Sequence, residues 1–130
     1  MEPDIRVGDT LILMTRAIQV RRGDVVRYRA PNPSRYIDGE VTVVHRVVGL
    51  PGERILVRDG KLWIDDVASG SAEGPRDRNS WYQGDPFLDV QLGESEYYLL
   101  GTDPSNSMDS RYLGPVHREQ IRGKVVHVIR

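Results

Sequence analysis

Histidine is the first residue type to weigh in this 130-residue sequence, which has three of them and no cysteine. His45 has the most telling setting. In an extended strand alternate residues share a face, so Val41, Val43, His45 and Val47 line one side. Thr42, Val44, Arg46 and Val48 line the other. An imidazole on an apolar strand face has two readings. It is a buried histidine satisfied by a backbone carbonyl, or it is a general base, since imidazole titrates near pH ~6.5 and is neutral and basic at physiological pH. His117, in a polar turn region, and His127, near the end of the chain, are weaker candidates. The histidines lack metal-ligand spacing and there are no thiolates, so neither a metal nor a cofactor is expected.

The stretch from Gly101 to Arg111 is the other concentration of polar side chains. Asn, Asp and Ser at this density can simply cap a turn. They can also position a catalytic base, with Asp109 pairing with Arg111 and Ser107 facing the site. Spacing alone leaves both readings open. The sequence holds no Gly-x-Ser-x-Gly elbow and no phosphate-cradling glycine loop.

Strands separated by Gly, Pro and Asp must carry these residues. The pattern predicts strands over Thr10–Thr15, Asp24–Ala30, Val41–Gly49, Arg54–Arg58, Lys61–Asp65, Tyr97–Gly101 and Lys124–Ile129. Asp59-Gly60 between two alternating runs predicts a tight hairpin, because both turn residues must tolerate positive φ. Residues 68–89 read as a surface excursion, with Trp81, Tyr82 and Phe87 docking onto the body. Thr102 to Arg111 reads as a polar loop, and Pro115 to Ile121 as a helical turn. The fold class is all-β, in a single domain over residues 1–130.

Composition narrows the function classes. The net charge of −1, with both signs interspersed, gives no footprint for nucleic acid. No apolar run approaches the roughly 20 residues that span a membrane, and Glu2, Asp4, Arg6 and Asp9 break up any leader-like stretch. Any membrane anchor is expected upstream or from a partner, and the chain as written is expected to be soluble.

Five segments, in order, resemble the type I signal peptidase family. Met1-Glu2-Pro3 with Val7-Gly8-Asp9 is similar to the stretch after the family's nucleophilic serine. Arg22-Gly23-Asp24-Val25-Val26 resembles the next strand. The base-bearing box is matched by His45-Arg46-Val47-Val48-Gly49-Leu50-Pro51-Gly52-Glu53. Its hairpin is matched by Asp59-Gly60-Lys61-Leu62-Trp63-Ile64. The final box is matched by Asn106-Ser107-Met108-Asp109-Ser110-Arg111-Tyr112-Leu113-Gly114. The resemblance covers nearly the whole chain outside residues 68–89.

It implies a membrane-anchored, extracytoplasmic serine endopeptidase that removes signal peptides from exported proteins after small residues. It also implies a complex coiled antiparallel β-domain, of the kind shared with self-cleaving SOS repressors. The family's serine would immediately precede Met1, so the chain as written is expected not to cleave. The base position holds His45 instead of the bacterial lysine, within a bacterial-style Gly-Leu-Pro-Gly frame. Thr102 replaces an aspartate of the family's Gly-Asp-Asn. The resemblance implies His45 as general base, Asp109 (ahead of Asp103) as its orienter, and Ser107 as a further hydrogen-bond partner. Arg46 and Arg111 are read as structural.

The implied substrate is an extended signal peptide, added as a strand between Pro3, Asp4 and Ile5 on one side and Val43 and Val44 on the other. The rival readings are a non-catalytic relative that binds extended peptides or assists a peptidase, a specialised maturation protease, and a self-cleaving repressor domain. His45 and the final box argue against the last.

Overall fold

The structure, a computed structural model, describes residues 5–31, 39–72, 87–101 and 108–130. Two antiparallel sheets make up the described chain. The larger contains β1 (Thr10–Met14), β2 (Val25–Pro31), β3 (Glu40–Gly49), β8 (Glu96–Leu100), β9 (Val116–His117) and β10 (Ile121–Ile129), in the order β1-β10-β2-β3-β8-β9. The smaller contains β4 (Arg54–Arg58), β5 (Lys61–Ile64), β6 (Val67–Ser71) and β7 (Asp89–Gln91), in the order β6-β5-β4-β7. One short helix, α1 (Ser110–Leu113), and a 3-10 turn over Arg118–Gln120 complete the regular structure among the described residues. The all-β expectation is borne out.

Turn chemistry explains the small sheet. Asp59 and Gly60 have φ of 53° and 72°, the pair of positive values that a two-residue hairpin needs. Asp65 and Asp66 repeat the device at φ 47° and 67°, without a glycine. That turn folds residues 67–71 back onto β5 as an exposed strand, so the start of the expected excursion is paired. Phe87 sits against the body: its backbone N–H donates to the Arg111 carbonyl at 2.6 Å, and its ring lies over Gly114. Trp81 and Tyr82 lie outside the described residues. Residues 110–113, expected as loop and its continuation, form α1, because the Asp109 side chain caps the backbone N–H of Arg111.

β3 joins the two cores. Its first part, Glu40 to His45, pairs only with β2 among the described residues, while Arg46 to Gly49 also pair with β8. Val47 packs with Val26, Tyr28, Ala30 and Leu99 in one apolar cluster. Val48 packs against the other, built on Ile55, Leu62, Tyr98 and Leu100. Both faces of the strand are therefore covered where it ends, and Arg46 is buried along with its neighbours. Gly49 is needed at that point: a Cβ there would stand 2.6 Å from Ile55 Cδ1 and 2.9 Å from Tyr98 Cβ.

The turn after β3 is closed by charge. Glu53 accepts from the Leu50 N–H at 2.6 Å and takes both Arg22 guanidinium nitrogens at 2.6–2.8 Å. Hydrogen bonding to Arg22 holds the Glu53 carboxyl below its usual range. Gly52, at φ 83°, supplies the left-handed residue.

Candidate active site

His45 lies within the β2–β3 ladder, directly opposite Val26. Directly opposed residues share a face, so Val26 and, diagonally, Tyr28 stand beside the imidazole from β2, with Ala30 further along the same face. The expected apolar strand face is therefore present, and His45 is only 9% exposed. Its polar partner is a side chain, not a backbone carbonyl. Tyr28 Oη lies 2.7 Å from His45 Nδ1, with the rings tilted at 56°. Burial pushes the imidazole below its ordinary pKa. The Asp109 charge opposes that shift and the Arg111 charge adds to it. Burial also pushes the Tyr28 phenol far upward, so it stays protonated.

Asp109 is fully buried and caps α1. Its carboxylate is held by Arg111 through Nε at 2.8 Å and Nη2 at 2.9 Å, and by the Gly101 N–H at 3.0 Å. The expected Asp109–Arg111 pairing is thus in place. Arg111 also donates through Nη1 to the Ala72 carbonyl at 3.0 Å, and Ser110 Oγ accepts from the Leu99 N–H at 2.9 Å. These bonds dock the final box onto β8 behind the imidazole. Asp109 reaches His45 through its field, whereas the hydrogen bond to the ring comes from Tyr28. Arg46 bonds the Gly23 carbonyl at 3.1 Å, tying β3 to the turn before β2.

Val43 and Val44 are half-buried on the part of β3 that has only one strand neighbour among the described residues, opposite Tyr28 and Arg27. Ile5 is half-buried and outside any strand. Pro3, Asp4, Thr102, Asp103 and Ser107 lie outside the described residues. His117 is exposed, with Nε2 3.7 Å from Glu96, and His127 is exposed on β10 opposite Ile12. Neither lies on the strands that frame His45. A cavity of about 410 Å³ bordered by Arg22, Arg46, Glu53, Leu62 and Val67 does not include His45.

Tyr28 is the site residue that sequence reading missed. Its signal was present. Val26, Tyr28 and Ala30 alternate onto the buried face of β2, and a hydroxyl buried there requires a partner.

Comparison with known proteins bears on the family of the chain. The sequence pattern of the family described as "Signal peptidase, peptidase S26" matches residues 1–129. The chain is 25% identical over 130 residues to a probable signal peptidase I-2 of Synechocystis, covering 95% of this chain and 56% of that protein. It is 29% identical over 137 residues to a signal peptidase I of Leptolyngbya laminosa, covering 97% and 62%. It is 27% identical over 137 residues to signal peptidase I V of Bacillus subtilis, covering 96% and 77%. The chain thus spans between about half and two thirds of the length of the first two relatives. Among solved structures, a signal peptidase I from Enterococcus faecalis superposes with a TM-score of 0.53 at 25% identity, over 85% of this chain and 98% of that one.

Proposed function

From the premise that this chain belongs to the signal peptidase family, peptidase S26, we propose that it is the body of a serine endopeptidase that trims extended signal peptides, with His45 as general base. One observation carries the reading. A buried histidine, its pKa pushed down by burial, stands where the part of β3 with a single strand neighbour among the described residues ends. Lysine in this position would need several units of pKa depression to be neutral at pH 7, while imidazole needs almost none. The stretch from Glu40 to Val44, which has only β2 as a strand neighbour among the described residues, supports substrate binding by strand addition, in which main-chain hydrogen bonds give affinity and shallow pockets choose small side chains. Asp109 would act as a fixed negative charge behind the ring. Ser107 would be a further partner, and Pro3, Asp4 and Ile5 would bind the other side of the extended substrate. On the family resemblance the nucleophilic serine would lie immediately before Met1, and a membrane anchor upstream of it.

The test is a chain extended by Ser and an apolar anchor ahead of Met1. Such a protein should cleave a preprotein peptide after small residues, with a pH profile rising through a histidine-like pKa. His45→Ala should reduce kcat by at least about 100-fold. Normal cleavage by the alanine variant sinks the assignment. The same stretch of β3 would serve a relative that binds peptides without cutting. That reading wins if the extended chain protects the β3 amides on adding peptide but leaves the peptide intact.

A further inference from the structure

We propose that Tyr28 is the positioning residue for His45, holding the imidazole by Nδ1 so that Nε2 is the atom that exchanges a proton with the nucleophile. This rests on reading His45 as the base. The phenol and the ring nitrogen are 2.7 Å apart and both residues are buried. Tyr28 lies opposite Val43 and His45 opposite Val26, so the two are diagonal neighbours on one sheet face, within reach for an aromatic side chain. Among the described residues no other group hydrogen-bonds the imidazole. The charged groups that act on the ring are Asp109, at the cap of α1, and Arg111, within it. They pair with each other in a two-pronged bond and act on the ring through their fields, while the directional bond to the ring is that of Tyr28.

A phenol does here what a carboxylate cannot, because it both donates and accepts. In one neutral tautomer Tyr28 donates to Nδ1 and the ring proton sits on Nε2, so Nε2 cannot accept. In the other, Nδ1–H donates to Oη and Nε2 carries the lone pair. From this second form a serine oxygen bonds the scissile carbonyl carbon while its proton passes to Nε2. The imidazolium keeps its Nδ1–H bond to Oη. The C–N bond then breaks, and the Nε2 proton leaves on the amine. Tyr28 neither gains nor loses a proton.

Nitrogen-15 NMR of the chain as it stands tests this without any cleavage assay. His45 should show two ring-nitrogen shifts that report a Tyr28-biased tautomer mixture. In Tyr28→Phe that mixture should change. The His45 titration midpoint should also fall by about half a pH unit or more, because the charged ring loses its acceptor and charge-assisted bonds are the stronger ones. Tyr98→Phe is the control. Tyr98 is an equally buried phenol, bonded to the Phe87 carbonyl, and its loss should leave His45 unmoved. Unchanged His45 shifts and midpoint in Tyr28→Phe, or equal changes in both variants, would overturn the proposal. In the serine-extended chain Tyr28→Phe should lower kcat about tenfold at constant KM. Full activity in His45→Ala removes the base reading, whereas the NMR result stands or falls on Tyr28 alone.

Discussion

Asp109 and Arg111 form an ion pair with 0% and 1% side-chain exposure, so neither partner can be lost cheaply. Asp109→Ala should destabilise by about 3–5 kcal/mol in urea melts, the usual cost of stranding a buried charge. A loss under about 1 kcal/mol would mean that Arg111 finds other partners. His45 makes a second prediction at this scale. Its folded pKa lies below the ordinary 6.5, so the unfolded chain binds more protons just under that value. Its stabilising contribution is therefore complete above pH ~6.5 and drains away as acid carries the pH towards the folded value, at up to about 1.4 kcal/mol per unit. His45→Gln should flatten the urea midpoint between pH 7 and 5.5. An unchanged slope would show that the ring is not held neutral. The apolar face around His45 could be read from alternation, and so could the pairing of Asp109 with Arg111. The Tyr28 bond could not, because the two residues sit on different strands and their register is not written in either one.

Strand β3 shows what local pattern can and cannot supply. Its apolar period was legible, and so was the Asp59-Gly60 hairpin, since one dipeptide forces the turn. The Asp65-Asp66 turn was not, because aspartate only tolerates positive φ and does not demand it. β6 was lost with it, being exposed along its whole length and so without a hydrophobic signal. Asp66→Gly should relieve that turn and raise stability by about 0.5 kcal/mol, measured as a higher thermal midpoint. Gly49 points the other way. Gly49→Ala should cost roughly 1–3 kcal/mol, because the new methyl meets Ile55 and Tyr98 inside contact distance. A neutral result would show that the strand can shift away from the small sheet.

At the scale of the whole molecule, β3 is a strand of the larger sheet that packs against both apolar cores and so couples them. Val47→Ala, a truncation in one core, should lower the protection of amides in both sheets together, as read at Val26 and Ile55 by hydrogen exchange. Separate transitions would mean that the small sheet folds on its own. Such coupling is invisible to a reading of segments in turn, because it depends on which strand is covered on both faces. Arg111 carries one more consequence. This one residue fastens two points that lie far apart in sequence: its guanidinium takes the Ala72 carbonyl, and its own carbonyl takes the Phe87 amide. With two points fastened in this way, the entropy of joining them depends only weakly on the length of chain between, at about 0.6 kcal/mol per doubling. Arg111 is thus a clasp: Ala72 and Phe87 stay fastened to the same side chain and backbone, and losing it would release both at once.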